Sequence, residues 1–305
     1  MRFHVVAFAL ALILIPPAAV GQDFDEGMTA ARRGDHVRAM QEWRPLAERG
    51  HAAAQIGIGG FYELGLGVAV DYAEAARWYD LAARQGFANA QHLLGRLYLR
   101  GDGVPKDNAE AVRLYRQAAE QGHAAAQSAL GLMISAGLGT LQDYSEAVHW
   151  LRQSAEQGHP RGQLDLGVMY MEGRGVDQSD ADAMLWIFRS AEQGYVDAQL
   201  VLALFYRDGR GVPEDQSTAA HWFRMAAQQG DVRAQLHLGA VYFQGQGVRQ
   251  DFVLAHVWLN IASANGATEA AALRDAAANS MTPADISEAQ RRARVCMASD
   301  YEDCN

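Results

Sequence analysis

The 36 residues from Phe87 to Gly122, FANAQHLLGRLYLRGDGVPKDNAEAVRLYRQAAEQG, predict two helices joined by a glycine-containing loop. In the first half, Ala90, Leu94 and Tyr98 lie at positions i, i+4 and i+8, so they share one face of a helix. The loop at 101–105 contains two glycines and a proline, which together stop a helix. The order of these features predicts an antiparallel helix pair.

The second helix of this stretch is predicted to begin near Asp107. An aspartate at that position can accept hydrogen bonds from the free N–H groups of the first turn. Ala111, Leu114 and Ala118 form the apolar stripe of this helix, and Gly122 follows its last turn, where glycine commonly ends a helix. One such pair leaves an apolar face uncovered, so its stability has to come from neighbouring copies.

The same stretch recurs along the chain with a period of 36 residues. The helix-ending glycine returns at Gly50, Gly86, Gly122, Gly158, Gly194, Gly230 and Gly266. The paired-glycine loop begins at Gly65, Gly101, Gly137, Gly173, Gly209 and Gly245. Repetition at this period predicts a solenoid in which each unit packs on its neighbours, with an extended binding surface and no single compact core.

The motif carried by these columns resembles the Sel-one-like repeat (SLR), a relative of the tetratricopeptide repeat. It reads A-x-x-x-L-G-x-x-Y-x-x-G-x-G-V-x-x-D from Ala90 to Asp107, and A-A-x-Q-G from Ala118 to Gly122. The resemblance covers roughly residues 51–266, with departures at Thr140, Ser179 and Ala203. It implies an all-α, right-handed superhelical solenoid of 36-residue helix hairpins that serves as an adaptor or scaffold, without catalysis and without a cofactor.

The beginning of the chain resembles a secretory signal peptide. Arg2 supplies a positive charge, residues 5–15 are uninterruptedly apolar, and small residues at 19–21 precede Gln22. The apolar run is too short to span a bilayer comfortably, although an uncleaved membrane anchor remains the alternative. We therefore expect a periplasmic or secreted protein whose mature chain has no membrane-spanning segment.

The remaining chain is expected to divide into three parts. Residues 22–50 form an N-terminal capping helix pair, residues 51–266 form six SLR-type repeats, and residues 267–305 form C-terminal capping helices with a cysteine-containing tail. Cys296 and Cys304 are the two cysteines of the chain. In an oxidising compartment we expect them to pair as a disulfide, with two free thiols as the alternative.

The charge of the chain limits its partners. The formal net charge is −10 and the isoelectric point is near 5.4. Such a chain lacks the basic field that a phosphate backbone or an anionic membrane surface requires, so we expect a protein or peptide partner and no nucleic acid. The single lysine, Lys106, is followed by Asp107, so no Gly-Lys-Ser/Thr phosphate loop is present.

Two groups of residues suggest metal binding but are better explained by helix ends. His51, His123 and His159 each follow a helix-ending glycine, where a structural role at the start of a helix is expected. Asp177, Asp180 and Asp182 lack the glycine and glutamate spacing of a calcium loop, and they suit the positive end of a helix dipole. The sequence therefore predicts no metal site.

The partner site is predicted by analogy with tetratricopeptide repeats, in which the first helix of each pair lines a concave groove. The corresponding positions are His92, Arg96, Arg100, Leu164, Met171, Leu200, Leu204, Arg207, Leu236 and Phe243. Apolar side chains at exposed positions suggest a protein or peptide ligand, which we expect to be another protein of the cell envelope, whereas burial between repeats is the structural alternative.

A second function remains open at this stage, namely a cell-envelope enzyme acting on β-lactams or peptidoglycan. Some members of the resembled family are associated with β-lactam binding, but they carry a cysteine pair in each repeat. The repeats of this chain contain no cysteine, which counts against that function.

Overall fold

In the computed structural model, the backbone is described for residues 17–304 and side chains from residue 24 onward. This part forms sixteen helices and no strand. The helices are α1 Pro17–Arg32, α2 His36–Glu48, α3 Ala52–Leu64, α4 Tyr72–Arg84, α5 Ala88–Arg100, α6 Asn108–Glu120, α7 Ala124–Ala136, α8 Tyr144–Glu156, α9 Pro160–Glu172, α10 Asp180–Glu192, α11 Val196–Asp208, α12 Gln216–Gln228, α13 Val232–Gln244, α14 Phe252–Ala264, α15 Ala270–Ala278 and α16 Pro283–Ala298. The prediction of an all-α solenoid of 36-residue helix pairs is confirmed.

The chain divides into two compact units, Met1–Gln121 and Gly122–Asn305. In the described part of the first unit, α1 packs on α2, and the pairs α3–α4 and α5–α6 follow. The second unit contains four pairs, α7–α8, α9–α10, α11–α12 and α13–α14, followed by α15 and α16. The predicted signal peptide, residues 1–21, lies mostly outside the described residues, and its predicted cleavage junction falls within α1.

Each helix pair is bounded by the capping residues that the sequence predicts. In the repeat of Phe87 to Gly122, the carboxylate of Asp107 accepts hydrogen bonds from the backbone N–H groups of Ala109 and Glu110 at 2.9 and 3.0 Å. At the other side of the loop, Gly101 has φ +81°, and its N–H donates to the carbonyl of Leu97 at 2.8 Å. The loop therefore satisfies the free groups of both helix ends.

The second glycine of each loop lies against the preceding repeat. Gly103 has φ +67°, and a Cβ at this position would lie 2.1 Å from the carbonyl carbon of Tyr72, the first residue of α4. In the second unit, a Cβ at Gly175 or Gly247 would likewise lie 2.3 Å or 2.2 Å from the carbonyl oxygen of Tyr144 or Gln216, respectively. The loop of one repeat thus rests on the first turn of the second helix of the repeat before it.

Buried glutamines of the first helices bond to the end of the second helix in their own repeat and in the repeat before it. The side-chain amide of Gln91 donates to the carbonyl of Ala83 at 3.4 Å, and its oxygen accepts from the amide of Gln121 at 2.9 Å. The inter-glutamine bond recurs, always 30 residues apart, in the pairs Gln85–Gln55, Gln157–Gln127, Gln193–Gln163 and Gln229–Gln199. A buried amide is costly when unpaired, so these bonds favour one register of stacking.

An aromatic cluster closes the first unit at its N-terminal end. The indole of Trp43 stacks between the rings of Phe24 and Phe61, with centroid distances of 5.5 and 5.2 Å. Its Nε1 donates a hydrogen bond to the carbonyl of Phe24 at 3.1 Å. Helix α1 therefore covers the apolar side of α2 and α3 that would otherwise face solvent.

The C-terminal tail closes the second unit. Cys296 and Cys304 form a disulfide, and both are buried in the core formed by α12 to α16. The loop between them presents Tyr301, whose hydroxyl accepts a hydrogen bond from the amide of Asn265 at 2.9 Å. The same amide donates to Gln235 at 2.9 Å. Asn265 thus takes the place of the donor glutamine in the last repeat, and Tyr301 covers it.

Candidate functional site

In the second unit, the first helix of each pair (α7, α9, α11 or α13) has one side on which no second helix packs. In α9 this side is marked by Arg161, Asp165, Val168 and Glu172, which lie at i, i+4, i+7 and i+11. On the opposite side of the same helix, Gly167 packs against Ile187 of α10. We call the free side, over α7, α9, α11 and α13, the first-helix face.

A row of aliphatic side chains crosses the first-helix face. Leu132, Val168, Leu204 and Ala240 occupy the same position of four successive repeats, and each is partly buried rather than enclosed. We call these four residues the apolar row. In the repeats of the first unit, the same position holds Gly60 and Arg96. The apolar row is therefore a property of the second unit.

Two of the predicted partner-binding residues are not on this face. Leu164 and Leu200 are only 7% and 4% exposed, so the prediction that they are accessible is wrong. Leu164 precedes Gly167 by three residues, and this spacing turns it toward α10, where it packs in one core with Ile187. Leu200 has the same relation to Ala203, which takes the place of the helix glycine.

Of the other predicted residues of the second unit, Leu204 lies on the face itself and the rest lie at its edge. Met171, Leu204, Leu236 and Phe243 are partly buried against the cores of their repeats. The ring of Phe243 meets that of Phe252 edge-on at 5.8 Å. Arg207 is paired with its neighbour Asp208 through an Nε–Oδ1 contact of 2.6 Å. Leu204 is thus the predicted residue that belongs to the apolar row itself.

The three predicted residues of the first unit are placed differently from one another. Arg96 forms an ion pair with Glu63, whose other oxygen accepts from the hydroxyl of Tyr79 at 2.9 Å. His92 is partly buried, with its ring 5.7 Å from that of Tyr115. Arg100 is exposed. Arg96 therefore joins two repeats, and a ligand would have to compete with Glu63 for it.

Sequence reasoning missed the buried carboxylate of the first-helix face. Asp165 is only 9% exposed, and its oxygens accept from Nε of Arg161 at 2.9 and 3.1 Å. The hydroxyl of Ser128, on α7, is 3.4 Å away. Nη1 of the same arginine donates to the hydroxyl of Tyr195 at 3.3 Å. The sequence did contain a signal for it, because the equivalent position of the next repeat holds the apolar residue Val201.

Burial raises the pKa of Asp165 to about 6, against the opposing effects of Arg161 and Ser128, and Asp197 raises it further. The folded chain therefore retains a proton that the unfolded chain releases near pH 4. The contribution of Asp165 to stability therefore falls as the pH rises from about 4 to about 6, by roughly 3 kcal/mol at the conversion of about 1.36 kcal/mol per pKa unit. The ionised form of Asp165 therefore carries a cost to folding, and a strongly perturbed carboxylate on an open face is a candidate for a functional residue.

The predicted helix-start role of the three histidines is confirmed. Nδ1 of His51, His123 and His159 accepts the backbone N–H three residues later, at 3.2 Å in each case. Burial lowers the pKa of His123 and of His159, which keeps these rings neutral and able to accept. Ser179 caps α10 in the same way, and Asp180 and Asp182 lie in its first turn.

Within residues 17–304, no group of three or more histidine, cysteine, aspartate or glutamate side chains is arranged to hold a metal ion. None of the helices described there has both the length and the apolar composition to cross a membrane.

Comparison with solved structures gives the same fold. The chain is 36% identical to a Sel1 repeat protein from Oxalobacter formigenes, with a TM-score of 0.72, and the match covers 79% of this chain and 96% of that one. It is 27% identical to c5321, a protective antigen of uropathogenic Escherichia coli with an SLR fold, at a TM-score of 0.42 and coverage of 92% and 78%. It is 22% identical to the immunity protein PA5088 from Pseudomonas aeruginosa, at a TM-score of 0.50 and coverage of 71% and 82%.

The family model agrees with the observed repeats. None of the curated proteins matches the chain. The model of the Sel1 repeat matches six times, at residues 52–87, 88–123, 124–159, 160–195, 196–231 and 232–266. Sel1 repeat proteins generally mediate protein–protein interactions, and their fold is typically a non-catalytic scaffold. With six consecutive matches and the 36% identical relative, this chain belongs to the Sel1 repeat family.

Proposed function

We propose that this chain is an exported, non-catalytic adaptor that binds a protein or peptide of the cell envelope through the first-helix face. The apolar row is the observation that carries the proposal. Four aliphatic side chains at equivalent positions remain partly exposed on a surface where a soluble protein usually places polar residues. Such a surface favours an extended or helical segment that crosses successive repeats.

The adaptor function predicts that a charge in the apolar row abolishes partner capture. Leu204→Glu would place a carboxylate where the partner is expected to bury apolar surface, so we expect at least about a tenfold loss of the captured partner. Capture is measured by crosslinking in intact cells followed by mass spectrometry. Helical circular dichroism checks that the variant is folded.

Leu185→Glu is the matched control for that substitution. Leu185 is 45% exposed and lies on the second helix α10, away from the first-helix face. This variant should capture the partner as the parent chain does. Equal capture by the Leu204→Glu variant would remove the first-helix face from the function.

Export is supported by the signal-like residues 1–21 and by a disulfide, which persists in oxidising compartments. We expect the protein isolated from cells to begin at Gln22 and to fractionate outside the cytoplasm. N-terminal sequencing of the purified protein measures this directly. A chain that retains Arg2 and sediments with membranes would instead indicate an uncleaved anchor.

A further inference from the structure

The two units differ sharply in charge. Residues 122–305 contain 13 arginines and 22 aspartates and glutamates, whereas residues 1–121 contain 13 arginines and lysines and 14 acids. The negative charge is therefore concentrated in the unit that carries the apolar row. A field of this sign accelerates association with cationic partners and disfavours anionic ones.

The first-helix face shows the same bias at close range. On the four helices α7, α9, α11 and α13, the face positions hold four carboxylates and two arginines. The carboxylates are Asp165, Glu172, Asp197 and Asp208, and the arginines are Arg161 and Arg233. These positions therefore hold two more carboxylates than arginines beside the aliphatic side chains, and two of the carboxylates, Asp208 and Glu172, pair with Arg207 and Arg174 from neighbouring positions.

Asp165 has unused capacity to accept hydrogen bonds. A carboxylate offers about four acceptor positions, and Asp165 uses them for a single Nε–H of Arg161 and a long contact of 3.4 Å with Ser128. Three residues along α9, Val168 shares its side of the helix. A cationic group that reaches this carboxylate would thus bring neighbouring apolar groups onto the apolar row.

Asp197 extends the acceptor site to the next repeat. It lies on α11 and is paired at 2.6 Å with Arg233, which also binds Asp231 at 2.7 Å. Its side chain is 49% exposed, so a ligand can approach it from solvent. Because one arginine serves two carboxylates here, negative charge remains available to a ligand.

We propose that the first-helix face of residues 122–305 recognises a basic, apolar polypeptide segment. Its apolar side chains lie on Leu132, Val168, Leu204 and Ala240, and a lysine or arginine binds Asp165 and Asp197. This inference rests on the proposed adaptor function and names the chemistry of the partner. Acidic segments are repelled by the same carboxylates.

The test is a selection of random peptides displayed on phage against the full chain. We expect the enriched peptides to share a lysine or arginine flanked by apolar residues. Synthetic versions of these peptides should bind Asp165→Asn and Leu204→Glu at least about tenfold more weakly than the parent chain. Asp177→Asn, which removes an equal charge from an exposed loop, should leave the affinity unchanged.

A second measurement separates recognition from a structural role. If Asp165 served folding, Asp165→Asn would lower the melting temperature. We expect it to raise the melting temperature at pH 8 and to abolish the loss of stability between pH 4 and 6, because the buried charge is removed. A variant that is less stable at pH 8 would overturn the assignment.

The remaining outcomes distinguish this inference from the proposed function. Peptides that lose affinity for Leu204→Glu but contain no basic residue, or bind Asp165→Asn normally, would overturn the basic partner and leave the adaptor face standing. An absence of enriched peptides, or peptides indifferent to Leu204→Glu, would contradict both.

Discussion

Replacing Gly103 with alanine should destabilise the protein by at least about 4 kcal/mol, a value that single substitutions seldom reach. The added Cβ would lie 2.1 Å from the carbonyl carbon and 2.3 Å from the oxygen of Tyr72. These are backbone atoms of a capped helix, so they cannot move aside as a flexible side chain would. We expect the loop to separate from α4, which is measured by urea denaturation followed by circular dichroism.

Gly86→Ala is the control, because it places a side chain on a residue with positive φ but creates no clash with a neighbouring helix. Gly86 has φ +89°, but nothing lies within 4 Å of the position that its Cβ would take. Its replacement should cost only about 1 to 2 kcal/mol, the usual penalty for a left-handed residue with a side chain. If both variants lost the same free energy of unfolding, the contact of the loop with the preceding repeat would contribute nothing to stability.

Removal of the disulfide should cost about 2 to 3 kcal/mol, as the closure of so short a loop predicts. In the Cys296→Ala, Cys304→Ala double variant, Tyr301 is no longer held over Asn265, and the end of the second unit is uncovered. Hydrogen exchange should therefore rise first in α16 and α14. The hydrogen exchange of residues 24–121 should stay as it is in the parent chain.

The Tyr301→Phe variant distinguishes the contribution of the disulfide from that of the hydrogen bond between Tyr301 and Asn265. It keeps the disulfide and removes the hydroxyl that accepts from Asn265 at 2.9 Å. We expect a loss of about 1 kcal/mol, typical of one hydrogen bond. If Tyr301→Phe were as destabilising as the loss of both cysteines, the hydrogen bond and not the covalent link would hold the tail.

The repeat architecture was predictable because its signals are local. The capping residues act on the backbone next to them, as Gly101, Asp107 and Gly122 do. Their spacing therefore predicts the helix ends even when the packing of neighbouring repeats is unknown. The helix-start role of His123 was predictable for the same reason. The period of 36 then gives the number of pairs.

The candidate site was predicted less well, because exposure depends on how repeats stack. Leu164 and Val168 are four residues apart and so only about 40° apart around α9, yet Leu164 is buried and Val168 is partly exposed. Arg96 was predicted as a ligand contact, but its partner Glu63 lies 33 residues away in sequence. No local pattern identifies such a pair. Asp165 was overlooked because its burial arises from two neighbouring helices.

The glutamine bonds have a consequence for how this chain can change in length. Each donor and acceptor are 30 residues apart, so one amino acid inserted or deleted between them changes the spacing of that pair, while the pairs of the other repeats keep theirs. Duplication or loss of a whole 36-residue module keeps all of them in phase. The protein can therefore gain or lose length in whole modules, while the aromatic cluster around Trp43 and the disulfide of the C-terminal tail stay the same.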